Sequence, residues 1–583
     1  MEVVMKNQYV LFDALKFLKK YMFAHKGSFL KFYLGWLFQS IIMVITPTLF
    51  GKMVDEVVYN NNQETFFQIG FLVAGLYLCC WILYFFIYRQ HNYLMTKFAY
   101  QIKKELFEHF LIMKAEKLNH MEEGEWMSLI TWYPMECVHL LVRGVIHQIN
   151  RMISIILIVF AIVQIDLLMG AIVLSIVCIS IILSKMAGEK INHQALLLRR
   201  QNEKNQSWIL EMLSGMMQIK LLSAEPYVRE KLGENIKHVF DIRAKSNQIT
   251  VKYSNLLLAS RTLLLVLLYA YLAFLSFQSK LTIGELTTIL AYHSSLMISI
   301  ANVYDNWKNA VERVPFVQKI QEFLNTPTEK EWTGTQELGK DLLSVQFDEV
   351  SFRYEDKRVL NQIAFTIRPG EKIGLVGESG CGKTTIASLL MGLFEPEEGV
   401  IRIQNKDMRK FRLESLRERI GLISQQVSII DGTIRENLSA VREESTLDEL
   451  MKACQYAGIW DYIQSLPQGL DTMIGRNGIE LSGGEKQRLS IARIYLKQPE
   501  IIIFDESTSA LDFETEKQIM GYWDNILNNH TAIIITHRLT TLSCCDEIFV
   551  MKDGSIIEQG TLSQLRNKGT YFNQLFRIQE GKL

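Results

Sequence analysis

The chain has 583 residues, 62 Lys and Arg against 62 Asp and Glu, and a mean hydropathy of +0.10. That length exceeds what one hydrophobic core holds, so at least two domains are expected, and a formal charge of +0 argues against a nucleic-acid partner. The average hides a division: the first half is strongly apolar, and the rest reads as a soluble α/β domain. The 8 cysteines show no CxxC spacing and read as reduced thiols, not as a disulfide framework.

The opening "NQYVLFDALKFLKKYMFAHK" is no signal peptide, because Asp13 and its lysines interrupt any apolar run. Lys16, Lys19 and Lys20 lie opposite Leu11, Leu15, Leu18 and Met22, which suits a helix resting on a membrane surface; a soluble amphipathic helix is the alternative. Six apolar stretches follow, near 29–50, 67–89, 145–165, 167–187, 256–277 and 284–304. Crossing a bilayer takes about 20 residues, which each supplies. Pro47 is placed to kink the first. Lys and Arg crowd the chain start and the segments between stretches two and three and between four and five. The other loops hold Lys52, no cation, and Lys280. This asymmetry puts both termini in the cytoplasm, with almost nothing outside. The two long basic segments read as helices continuing beyond the membrane, with turns near Asn119–Gly124 and Ser223–Tyr227 expected to meet a soluble domain. The lead before the first span leaves no room for an N-terminal peptidase domain.

Two spans carry polar or aromatic stripes. In the sixth, Thr288, Tyr292, Ser295, Ser299 and Asn302 recur at helical spacing, with Glu285 extending the row; in the second, Tyr77, Trp81, Tyr84 and Tyr88 do so. Polar groups inside a bundle line a cavity or join helices through hydroxyls, and both readings stand. His293 lies off the stripe. A lining this aromatic and nearly uncharged suits an amphipathic cargo: a hydrophobic peptide, a natural product, a drug or a lipid.

A polar linker, "LNTPTEKEWTGTQELGKD", leads into the second half. There "EKIGLVGESGCGKTT" gives a strand, a glycine loop and a helix, with Gly377, Gly382, Lys383 and Thr384 in GxxxxGK[ST] spacing. Such glycines let the backbone wrap phosphates, Lys383 neutralises β/γ charge, and Thr384 offers a hydroxyl to Mg²⁺. The strand "IIIFDEST" ends at Asp505, suited to hold Mg²⁺ through water, and at Glu506, suited to orient or deprotonate the attacking water. The strand "TAIIITHR" ends at His537, well placed to touch a γ-phosphate. A second anion site, "LSGGE" at Leu481–Glu485, opens another helix. It is intelligible if it closes over the γ-phosphate bound by another copy.

In combination these motifs resemble an ATP-binding cassette (ABC) half-transporter of the exporter fold, over essentially the whole chain. The resemblance implies a six-span α-helical transmembrane domain of the dimeric, domain-swapped exporter type, joined to an α/β P-loop ATPase domain. It implies an elbow helix over 1–27, the transmembrane domain over 28–320, a linker over 321–342 and the nucleotide-binding domain over 343–583. The glycine loop becomes Walker A at 377–385, so Ser379, Gly380, Cys381 and Thr385 join the nucleotide contacts. Ser482, Gly483 and Gly484 become the signature, Ser509–Asp512 the D-loop with Asp512 near nucleotide, Tyr354 the adenine-stacking ring, and Gln425 a Mg²⁺ contact that senses the membrane domain. ATP and Mg²⁺ are the implied cofactors. A homodimer is preferred to pairing with a related half-transporter, because Lys383, Glu506, His537 and Ser482 are all kept. The expected activity is ATP-driven export of amphipathic cargo across a bacterial cytoplasmic membrane by alternating access. A lipid flippase, an importer and an ATP-gated regulator are the alternatives. Two departures stand out: Arg476 in "TMIGRNG" replaces an acidic residue of the relay loop, and Glu485 replaces the commoner Gln.

Overall fold

The structure is a computed structural model that describes residues 2–118, 123–278, 280–339, 343–424, 427–442, 444–505, 530–567 and 571–579. The chain divides into two compact units, Met1–Met113 with His120–Thr326, and Lys114–Asn119 with Pro327–Leu583.

The first unit is helical. Helix α1 (Glu2–Ala24) buries Ala14, Leu18 and Tyr21, while Lys20 and Tyr21 bind Glu105 at 2.5 and 2.7 Å. Helix α2 (Lys26–Asp55) runs through Pro47 without a break. Helix α3 (Gln63–Leu111) continues far beyond its apolar part. A short helix, Tyr133–His139, and a π-helical segment, Leu140–Ile146, lead into α4 (His147–Ile165). Asp166 ends α4 and caps α5 (Leu167–Ser214), accepting from the Met169 N–H at 2.9 Å. Helix α6 (Glu225–Phe277) follows the turn at Ser223, and α7 (Ile283–Leu324) opens on a Thr282/Glu285 capping box. Five helices are long and apolar enough to cross a membrane among the described residues, and Leu167–Ser180 forms a shorter apolar stretch.

The spans are joined by small residues and hydroxyls, the usual glue where lipid removes the hydrophobic contrast between helices. A Cβ on Gly284 would sit 2.1 Å from the Gly51 carbonyl oxygen, so α2 and α7 touch backbone to backbone. Just beyond, Asp55 accepts from the Gly284 N–H at 2.7 Å and the Thr282 hydroxyl at 2.8 Å, satisfying donors at the α7 terminus. Between α2 and α4, Ser40 bridges Asn150 and Ser154 at 3.1 and 3.0 Å.

The second unit holds a four-stranded sheet and a six-stranded sheet. The first, β1 (Val345–Tyr354), β2 (Lys357–Ile367), β4 (Glu398–Ile403) and β5 (Lys406–Asp407), is ordered β2-β1-β4-β5. The second contains β3 (Lys372–Gly377), β6 (Ile420–Ile423), β9 (Ile501–Asp505), β10 (Thr531–Ile535), β11 (Glu547–Lys552) and β12 (Ser555–Gly560), ordered β12-β11-β3-β10-β9-β6. Its pairings are parallel except β11 with β12. β9 and β10 are buried at every residue, as a sheet covered on both faces requires. The miniature pair β7 (Gly432–Thr433) and β8 (Met473–Ile474) belongs to a smaller helical lobe whose core, around Leu438, Ile463 and Leu489, is continuous with Ile502, Phe504 and Ile534 of the six-stranded sheet.

Candidate functional site

The glycine loop sits at the carboxyl end of β3, where β10 and β9 follow in register on one side, the position at which parallel α/β sheets hold ligands. Gly380 and Gly382 have φ of +84° and +107°, and a Cβ on Gly382 would lie 2.5 Å from Leu360. Only glycine suits both needs there. Helix α8 (Lys383–Leu390) starts from this loop. Lys383 is buried and folds back to donate to the Gly377 and Glu378 carbonyls, each at 2.9 Å. Ser379 and Gly380 remain exposed, whereas Thr385 is buried. Burial pushes the Cys381 thiol up despite the opposing pull of Lys383, which keeps it protonated inside the loop.

The Thr384 hydroxyl donates to Asp505 at 3.2 Å, so the hydroxyl of α8 and the buried carboxylate ending β9 converge. A hydroxyl beside a carboxylate is an all-oxygen donor set that suits Mg²⁺. His537 lies two residues beyond β10, whose end is tied to β3 by the Thr536 N–H donating to the Leu375 carbonyl. Tyr354 ends β1 half-exposed, its ring set edge-on to Phe352 and Phe394 at 4.8 and 5.2 Å. Gln425, Glu506 and Asp512 lie outside the described residues.

The signature begins helix α9 (Gly483–Lys497). Ser482 is its N-cap; the Glu485 carboxylate accepts from the Ser482 N–H at 2.7 Å, and the Ser482 hydroxyl accepts from the Glu485 N–H at 3.4 Å. Ser482 and Gly483 are exposed, and nothing lies within 4 Å of where a Gly483 Cβ would stand. The helix start is therefore open to an approaching anion. The capping box was visible as S-x-x-E, although the sequence reading treated Glu485 only as a variation.

Three supports were missed. Arg493 of α9 donates to the Asn437 carbonyl, the Asn437 side chain and the Ser428 carbonyl at 2.9, 2.7 and 2.9 Å. It thereby pins the segment after Gln425 to the signature helix. Asn477, beside Arg476, donates from its backbone and side chain to Asp431 at 3.2 and 2.6 Å, joining the relay loop to that same segment. Tyr571 donates to Glu378 of the glycine loop at 2.6 Å, a contact that pushes its phenol up to about 12. No spacing rule marks these pairs, because their partners lie far apart in sequence.

The membrane stripes separate. Thr288, Tyr292 and Ser299 are buried, and Ser295 is half-buried. Thr288 donates to the Pro47 carbonyl at 3.2 Å, and Tyr292 to the Val44 carbonyl at 2.6 Å while sharing a 2.6 Å bond with Thr48. Thr288 and Tyr292 thus hold α2 around its proline, as the packing reading of this stripe expects. Glu285 likewise serves the capping box of α7. Tyr77, Trp81 and Tyr84 are exposed on α3.

Comparison with known proteins agrees with this geometry. An ABC transporter transmembrane region model matches residues 32–300, and an ABC transporter model matches 360–509. The Bacillus subtilis ATP-binding/permease protein YgaD, named for multidrug export, is 26% identical over 96% of this chain and 99% of its own. The cyclolysin secretion/processing ATP-binding protein CyaB of Bordetella pertussis is 27% identical over 93% of this chain and 76% of its own. An ATP-dependent lipid A-core flippase of Haemophilus ducreyi is 37% identical, over 52% of each chain. A bacterial Atm1-family ABC exporter solved with ATP bound superposes with a TM-score of 0.83 at 23% identity, covering 96% of this chain and 98% of that one. The fold is thus shared with these transporters, and the chain belongs to the ABC transporter family, as an exporter-type half-transporter that binds ATP and couples its hydrolysis to transport.

Proposed function

We propose that two copies of this chain form a homodimeric exporter of amphipathic cargo in a bacterial cytoplasmic membrane, with both ATPase units and all termini cytoplasmic. The observation that carries the reading is the pair of half-sites in one ATPase unit: a formed glycine loop, and a signature helix whose Ser482 and Gly483 stand open. Each copy's glycine loop binds the triphosphate of ATP through backbone N–H groups and Lys383. The other copy's signature closes over the γ-phosphate. Mg²⁺ held by Thr384 and Asp505, with Gln425, supplies charge neutralisation on the phosphates. Glu506 orients and deprotonates the attacking water, His537 contacts the γ-phosphate, Tyr354 stacks on the adenine, and Asp512 lines the closed interface. Dimer closure then favours the cavity conformation with the lower cargo affinity, as net transport demands.

The flippase reading is retained as the second one, favoured by the 37% identity to a lipid A-core flippase over half of each chain. The test is ATP hydrolysis by the purified chain in nanodiscs beside Glu506→Gln. Activity abolished by the substitution supports a self-sufficient homodimer. Unchanged turnover removes Glu506 from the mechanism, and a silent, folded wild type points to a missing partner chain or an obligatory cargo.

A further inference from the structure

A basic cluster with no counter-ion among the described residues lies where the Lys/Arg-rich ends of the first three spans meet. Arg143 stands in the π-helical segment Leu140–Ile146; His147 and Arg151 follow one and two turns later on α4, along the same face. Segments of this helix type recur at functional sites, because they realign side chains that an α-helix would stack elsewhere. His91 of α3 brings its ring to 5.7 Å from His147, and Trp36 of α2 closes the group at 5.0 Å. His91 directly follows the second apolar stretch, Arg143 directly precedes the third, and Trp36 is near the start of the first. All five therefore share one level of the bundle.

The titratable groups near His147 are Arg143, Arg151 and His91, of which the two arginines carry the charge. The carboxylate in this neighbourhood, Glu136, reaches His139 and is already paired with Arg313 at 2.8 Å. Among the described residues, neither Arg143 nor Arg151 has an ion pair or a hydrogen bond. Arg151 is half-buried, whereas Arg143 is exposed at the edge of the group. The Trp36 Nε1 and His147 Nε2 atoms are buried without a hydrogen-bond partner. Burying cations and donors unpaired is unfavourable, and ionisable groups at membrane depth are kept where they meet a ligand or pathway. An anion satisfies all of these groups together. Phe32, at 5.9 and 6.0 Å from the two imidazoles, and Tyr88, stacked at 6.2 Å on His91, place apolar surface against the cluster.

We propose that this cluster binds the anionic headgroup, phosphate or carboxylate, of an amphipathic ligand. Arg143 and Arg151 neutralise the headgroup, Trp36 and His147 donate to it, and the flanking rings take the start of the apolar tail. The site stands on its own contacts; it rests on the exporter reading only where the ligand is called cargo.

The test uses the full chain in phosphatidylcholine nanodiscs, without nucleotide, titrated with dodecyl phosphate, dodecyltrimethylammonium and inorganic phosphate while the unfolding midpoint is followed. Dodecyl phosphate is expected to raise the midpoint saturably. In R143Q/R151Q its half-saturating concentration should rise about tenfold or more, given the strength of charge-assisted hydrogen bonds, whereas R143K/R151K stays close to wild type. Superimposable curves for wild type and R143Q/R151Q overturn the site, as does equal stabilisation by the ammonium amphipath. Inorganic phosphate matching dodecyl phosphate overturns the amphipath. If R143Q/R151Q fails to fold, the wild type decides: half-saturation should rise with NaCl, and its indifference to salt overturns the proposal. Phosphatidylglycerol in the disc separates the sources. Competition with dodecyl phosphate in wild type identifies a lipid headgroup; absence of competition, with stimulated ATP hydrolysis, identifies cargo. Because the binding shift is read without nucleotide, its failure leaves the Glu506→Gln result standing, and a silent ATPase leaves the binding shift standing.

Discussion

In the ATPase unit, β9 and β10 are buried along their whole lengths. In the membrane unit, only 6% of the apolar window of α3 and 13% of that of α6 lie inside the unit. The same residue types thus do different work. In water, burying Ile and Phe drives the sheet together. Beside lipid, leucine-rich surface gains little from turning inward, and the contacts that choose one helix arrangement are Gly51 against Gly284, Asp55 on the α7 terminus, and Tyr292 on the Val44 carbonyl. Substitutions in the two units should therefore fail in different ways, and this contrast can be broken experimentally.

The largest effects are expected at the nucleotide site. Lys383→Ala removes the cation placed for the phosphates, and ATP hydrolysis should fall by about 10²–10³-fold, the usual cost of losing one preorganised electrostatic contact. The unfolding midpoint of the nucleotide-free protein should move far less. A large stability loss with retained turnover would mean that Lys383 serves the loop, through its bonds to Gly377 and Glu378, more than the nucleotide. Next comes Gly284→Leu. Its Cβ would lie 2.1 Å from a backbone oxygen that cannot yield as a side chain does, so the α2–α7 contact must open. Overpacking of this kind costs about 1–3 kcal/mol or more. A lowered unfolding midpoint with near-normal ATP affinity would bear out the contrast between the units, and an unchanged midpoint would break it.

A smaller effect sharpens the same comparison inside the membrane. Tyr292→Phe keeps the ring and removes a hydroxyl bonded to Val44 and Thr48. Side-chain hydrogen bonds between membrane helices average about 0.6 kcal/mol, with a ceiling near 1.7. The midpoint should drop slightly, while the ranking of cargoes that stimulate hydrolysis stays as it was. Trp81→Ala, at an exposed ring of α3, should do the reverse. A reordered cargo ranking in Tyr292→Phe would give the sixth-span stripe a lining role beside its packing one.

The sequence was most legible where chemistry imposes local spacing. The glycine loop, the strand into Asp505 and the S-x-x-E at Ser482 are each read within a few residues, and the structure forms a strand, a loop or a cap at each. The spans were legible by length alone. Their rotation was not: period-3.6 polarity along α7 cannot distinguish Thr288 facing a cavity from Thr288 facing the Pro47 carbonyl, because both put a hydroxyl on an inner face. Arg493 with Asn437, and Tyr571 with Glu378, join residues 56 and 193 positions apart, a separation that only the folded chain closes.

The smallest expected effect tests the departure at the signature. Glu485 accepts from the Ser482 N–H, and a glutamine side chain at this position would offer an amide oxygen to the same donor, so Glu485→Gln preserves the cap. What changes is charge. A carboxylate in the first turn stabilises the helix by about 0.3–1 kcal/mol through its dipole, but it also places a negative group beside the N–H groups proposed to receive the other copy's γ-phosphate. Removing it should lower stability slightly and tighten ATP-driven closure, read as a decrease of up to about fivefold in the ATP concentration for half-maximal hydrolysis, the counterpart of that same 0.3–1 kcal/mol. Both shifts should shrink as salt rises, because the group is near the surface. A weaker ATP dependence in the variant would mean that the carboxylate earns its position by holding the helix start in shape, and that the repulsion is already cancelled by the neighbouring Lys486.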